Sequence, residues 1–130
     1  MATALDIITG AMRKLGVIPS GQAPSAEEAD EALECLNDLC NSWTGKDVHT
    51  GFSTLENVSD DFILDERHHG AVKAILAEAL APNYGATVSS ELRKQSYQGW
   101  LMIKADYRPI QTLRVDTGLQ AMPSQRRYGL

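Results

Sequence analysis

A chain of 130 residues with 43% hydrophobic and 22% charged side chains has the length and composition of one globular domain, which excludes global disorder and points to a single core. No stretch approaches the roughly 18 uninterrupted apolar residues of a membrane span, and the N-terminus lacks the basic-then-apolar pattern of a secretory signal. The net charge of −5 is uneven: residues 1–107 hold 8 basic and 16 acidic side chains, a balance of −8, whereas 108–130 hold Arg108, Arg114, Arg126 and Arg127 against Asp116, a balance of +3. An acidic body with a basic tail predicts a tail that seeks a different surface from the body.

Thr3 with Asp6 opens a first helix with Leu5, Ile8, Met12 and Leu15 on one face. Gly16 supplies a left-handed stop, and Arg13 and Lys14 suit the last turn. Gly10 in mid-helix marks either a close crossing or a tolerated cost of about 1 kcal/mol against Ala. After the turn-rich Val17 to Pro24, the best-punctuated element runs from Ser25 to Trp43. Ser25 and Glu28 form a capping box, Ala29, Leu33, Leu36, Leu39, Cys40 and Trp43 recur at helical spacing, and Glu27, Glu31, Glu34, Asp38 and Asn41 occupy the opposite face. The rest of the chain is expected to be organised around this helix, which Thr44, Gly45 and Lys46 end. In Asp47 to Leu64 the apolar Val48, Phe52, Leu55, Val58, Phe62 and Leu64 follow neither period, so a long loop with a possible short hairpin is expected, packed on something. Asp65 is positioned to cap a third helix from Glu66 to about Leu80, with Val72, Ile75, Leu76, Ala79 and Leu80 inward. Pro82, Asn83 and Gly85 break it. Ser89 or Ser90 caps a fourth helix, Glu91 to about Tyr107, with Leu92, Ser96, Gly99 or Trp100, and Ile103 along one side. From Arg108 onward two prolines, two glycines and no periodic stripe argue for an extended arm. The expectation is an all-α four-helix bundle, 1–107, with a long central loop and an extended C-terminal arm, 108–130.

The residues that usually carry chemistry are scattered. His68 and His69 point about 100° apart on a helix and have no further ligand at a familiar spacing, so a helix N-terminal surface is expected and no metal site. Cys35 and Cys40 lie about 140° apart around one helix axis; Cys40 reads as core, Cys35 as a flank residue, and a reducing cytoplasm fits both. Asp60 with Asp61, or Glu66 with Glu78, are the carboxylate pairs open to acid/base work. No nucleotide-binding, metalloprotease or nucleophile-elbow motif occurs, and no cofactor is expected. No helix is rich in Arg, Asn and Gln, so sequence-specific DNA binding is not expected either.

In their order and spacing, the opening AMRKLGVI, the acidic helix closing on LNDLCNSW with Gly45 just beyond, and the segment DDFILDERHHGAVKAILAEALAPNYG resemble the packaged-DNA stabilisation proteins. These are the tail accessory factors of short-tailed bacteriophages, among the head-to-tail connector (adaptor) proteins. The resemblance covers about residues 3 to 108, and its most distinctive pieces are Arg13-Lys14-Leu15-Gly16, Leu39 to Trp43 with Gly45, and Ala81 to Gly85. It implies a structural virion protein without enzymatic activity, made in the host cytoplasm and located in the virion neck. Such a protein forms a homo-oligomeric ring of about twelve copies, matching the portal protein ring. There it retains packaged DNA that passes non-specifically through the channel, and offers a platform to a tail or nozzle protein. On that reading Arg108, Pro109, Ile110, Leu113, Arg114, Arg126, Arg127 and Tyr128 contact the portal, Phe52, Leu55 and Phe62 contact a neighbour or the tail, and acidic side chains keep DNA from sticking in the channel. A virion-associated cell-wall glycosidase and a small helical regulatory dimer are the competing classes.

Overall fold

The computed structural model describes residues 2–19 and 21–107. The chain is all-α, with four α-helices among the described residues: α1 (Ala4–Leu15), α2 (Ala26–Gly45), α3 (His69–Leu80) and α4 (Ser90–Tyr107). The expected capping box forms at Ser25, and Thr3 and Asp6, expected to open α1, form a second one. The Thr3 hydroxyl accepts from the Asp6 amide while Asp6 accepts from the Thr3 amide, and Ser25 and Glu28 do the same for α2. Gly16 closes α1 at φ 81°, a conformation that costs a residue without Cβ little. Ser89 caps α4, its hydroxyl accepting from the Leu92 amide.

The centre of the domain is α3, not the helix expected to organise it. Ala71, Val72, Ala74, Ile75, Leu76, Ala77 and Leu80 are all buried, so α3 has no continuous polar face. A helix apolar nearly all round belongs inside. It packs along α1 and α4 and more lightly on α2. Clear amphipathic punctuation belongs to a helix with one wet side, which is why α2 stands out in the sequence and lies at the edge of the fold. Its Glu27, Glu31, Glu34, Asp38 and Asn41 are exposed and its Leu33, Leu36, Cys40 and Trp43 buried, as expected, with Leu39 at the margin.

Other details differ from expectation. The inward stripe of α1 is Ala4, Ile7, Ile8, Ala11 and Met12, with Leu5 and Leu15 half-buried beside it. Asp65 makes no side-chain cap; a 3-10 turn, Glu66–His68, leads into α3, and Ala79 faces solvent. His68 and His69 are buried, not on the surface. His69 donates from Nε2 to the Leu64 carbonyl at 2.8 Å and stands edge-on to Phe62. The His68 ring packs on Tyr107, centroids 5.3 Å apart. Its Nε2 lies 3.0 Å from Asp106 Oδ2, too oblique for a hydrogen bond.

The long loop contains no hairpin; among the described residues the only β-type pairing is an isolated bridge between Thr3 and Asp61. The loop instead completes α1. Its Asp60 and Val58 carbonyls accept from the Ala4 and Leu5 amides at 2.8 Å each, two of the donors a helix start cannot satisfy internally. Asn37 of α2 holds the loop from the other side, accepting from the Leu55 amide and donating to the Leu55 carbonyl, both at 2.9 Å. An Asn37→Ala variant loses two partly buried hydrogen bonds of about 1 kcal/mol each. It should show faster proteolysis and hydrogen exchange confined to 50–58, with the bundle still folded.

Two glycines sit at helix crossings with opposite consequences. A Cβ on Gly99 of α4 would stand 2.6 Å from the Ala71 Cβ and 2.9 Å from its Cα, backbone that does not yield. A Cβ on Gly10 of α1 would meet only the flexible stem of Lys73. Gly99→Ala should therefore lower stability by about 1 to 3 kcal/mol despite its better helix propensity. Gly10→Ala should stabilise by up to about 1 kcal/mol as Lys73 swings aside. Urea unfolding of the two variants checks the opposite signs.

Candidate functional site

The inward residues of α4 are Leu92, Ser96, Gly99 and Ile103, spaced to lie on one side. That phase is set by the Gly99–Ala71 contact, and it turns Tyr97, Leu101 and Met102 outward, 63%, 43% and 41% exposed. With Ile63 they are the large apolar side chains most open to solvent among the described residues.

A hollow lies on each side of this ridge. On the α2 side a groove of about 400 Å³ is lined by Leu39 and Trp43 of α2, Ile75 and Ala79 of α3, and Tyr97 and Trp100 of α4. Trp43 and Trp100 pack with centroids 5.5 Å apart, and Lys46 places its ammonium 5.3 Å from the Trp100 centroid, a cation–π approach. At the rim Glu78 Oε1 accepts from the Ser96 hydroxyl at 2.9 Å and Oε2 lies 3.6 Å from Arg93 Nε. The second hollow, about 330 Å³, is lined by Lys14, Gly70, Ala71, Gln95, Gln98, Gly99 and Met102. Lys14 bridges it, donating to Gln95 Oε1 at 3.2 Å. An apolar ridge between two hollows suits docking to another macromolecule.

The residues named from sequence divide into three groups. Leu55 and Phe62 are buried in the chain's own core and Phe52 packs beside Phe62. Their apolar character is used internally, so a neighbour- or tail-contact role for Leu55 and Phe62 does not fit this placement. Arg108, Pro109, Ile110, Leu113, Arg114, Arg126, Arg127 and Tyr128 lie outside the described residues. The carboxylate pairs are not brought together for catalysis. Asp60 Oδ2 accepts from the Glu56 and Asn57 amides, which ties it into its own loop, and Asp61 beside it is exposed. Glu66 and Glu78, twelve residues apart along a helical segment, are separated by about 18 Å of axial rise. Among the described residues no three His, Cys, Asp or Glu side chains group to hold a metal, and no helix is long and apolar enough to cross a membrane. Tyr97, Leu101 and Met102 were missed in the sequence, although the inward register of the fourth helix already puts them outside. Compared with known protein families and with curated proteins, the chain matches none.

Both thiols are free. Burial pushes Cys40 up to about 12; Cys35 is also raised, by burial first and then by Asp38 and Glu34. Burial, then Glu28 and Glu31, raise Tyr84 as well. The folded state keeps the Cys40 proton that the unfolded chain gives up near the ordinary 9.0. Its contribution is therefore complete below pH 9 and is lost as pH rises toward 12. A thiol reagent at pH 9 should label Cys35 first and Cys40 only on unfolding. Cys40→Val should flatten the fall of the urea midpoint across that pH window.

Proposed function

We propose that the chain is a phage head-to-tail connector, a structural virion protein that forms a ring beneath the portal, retains packaged DNA and carries the tail. The observation that carries this reading is the α4 ridge. An acidic helical body presents Tyr97, Leu101 and Met102 to solvent between two hollows, a surface made for protein partners. The excess of carboxylates in residues 1–107 supports a channel wall that repels DNA phosphates. The order of the motifs from Arg13-Lys14-Leu15-Gly16 to Ala81–Gly85 supports the same family. The basic segment 108–130 is then the portal-seeking part, through Arg108, Pro109, Ile110, Leu113, Arg114, Arg126, Arg127 and Tyr128.

The test is mass by light scattering, alone and mixed with the purified portal of the same phage. A ring, or a monomer that assembles only with portal, is the expected result. Deleting 108–130 should weaken portal binding by about a hundredfold, as the loss of several charged contacts of about 1 kcal/mol each requires. A monomer or closed dimer indifferent to portal would refute the proposal.

A further inference from the structure

The outward sides of α2 and α4, the two longest helices, carry opposite charge. Between Ala26 and Gly45 there are six carboxylates and no Lys or Arg. Glu27, Glu31, Glu34 and Asp38 are all exposed and their spacing puts them in one stripe about 16 Å long, opposite the buried Leu33, Leu36 and Cys40. Among the described residues none of the four is in an ion pair. On α4, Arg93, Tyr97, Leu101 and Lys104 recur at the same helical spacing with Lys94 beside them, a stripe of equal length. Arg93, Lys94, Tyr97 and Leu101 are exposed and Lys104 half-buried.

We infer that the α2 stripe of one copy docks on the α4 stripe of the next. Tyr97 and Leu101 form the apolar centre, packing against the aliphatic stems of the glutamates, while Lys94 and Lys104 meet the carboxylates and Arg93, beside Glu78 of its own chain, flanks them. This deepens the ring reading and rests on it. The stripes belong to different helices and each lies opposite the buried side of its own helix, so a copy offers α4 to one neighbour and α2 to the other. Such a contact is heterologous and propagates until a ring closes. Exposed ion pairs are individually weak and salt-screened, which suits subunits that stay apart in solution and close around a template.

Two charge-reversed variants test the contact: Glu31→Lys with Glu34→Lys, and Lys94→Glu with Lys104→Glu. Association is read by sedimentation velocity at high concentration and low salt. Carbodiimide coupling of mixed isotopically light and heavy chains reads the contact itself, since it joins carboxylates to lysines in touch. Wild-type chains should give light-to-heavy links from the α2 glutamates to Lys94 and Lys104. Each variant alone should lose those links and about tenfold or more in association, whereas an equimolar mixture of the two should recover both, because each reversed stripe meets the other. Absence of the wild-type links, links running only between α4 and α4 through Glu91, or variants that associate like wild type would overturn the inference. Normal rings on portal from the variants would sink this contact and leave the connector reading standing. Wild-type chains that link α2 to α4 but ignore portal would sink the connector reading and leave the contact.

Discussion

The close approach of Gly99 to Ala71, where a Cβ would stand 2.6 Å from its neighbour, is the constraint on which the rest of the structure depends. It lets α4 lie almost backbone to backbone on α3, and it fixes the rotation of α4 about its own axis. From that rotation follow the burial of Leu92, Ser96 and Ile103 and the exposure of Tyr97, Leu101 and Met102. Dispersion contacts fall off steeply with distance, so the small residue at this point strengthens packing along the whole of α3 as well as relieving a clash. The core and the candidate interface are two sides of one geometric choice.

The polar tasks of the fold are met locally. The start of α1 is completed by carbonyls of the loop, and the loop is held at Leu55 by a two-way clasp from Asn37. Buried backbone groups left without partners would cost more than these bonds contribute, so an aperiodic segment acquires one conformation. Phe62 fits between Phe52 and His69 because that conformation is set. Residues that look partner-seeking in a loop with no regular period are thereby withdrawn into the monomer. Among the described residues, most of the large apolar side chains left open, Tyr97, Leu101 and Met102, lie on α4.

On the helices, charge and apolar area are separated. The exposed side of α2 is acidic, and the outward side of α4 combines Arg93, Lys94 and the half-buried Lys104 with the apolar Tyr97, Leu101 and Met102. Rim charges steer and orient encounters more than they tighten them, while apolar area at the centre of a contact contributes most of the binding energy. On the proposed α2–α4 contact, a body built this way favours ordered head-to-tail neighbours over random aggregation.

Much of this was legible in the residues alone. Capping boxes at Thr3 and Ser25, the left-handed stop at Gly16, the acidic face of α2 and the inward register of α4 are each written within one or two helical turns, and local backbone chemistry decides them. Residues 108–130 were set apart by their positive balance and two prolines, again a local property. What needed the tertiary structure was every feature that depends on which elements become neighbours. The central place of α3 was hidden because a helix buried nearly all round has no continuous polar face to mark it. His68 and His69 look like surface residues until the end of α4 closes over the first and Leu64 and Phe62 of the loop over the second. Phe62 and Leu55 look free until Asn37 and the start of α1 claim the loop. Only the packing of α4 on Ala71 decides that Tyr97 and Leu101 are left open to solvent, because burial is a property of pairs of elements and no single stretch of sequence contains both.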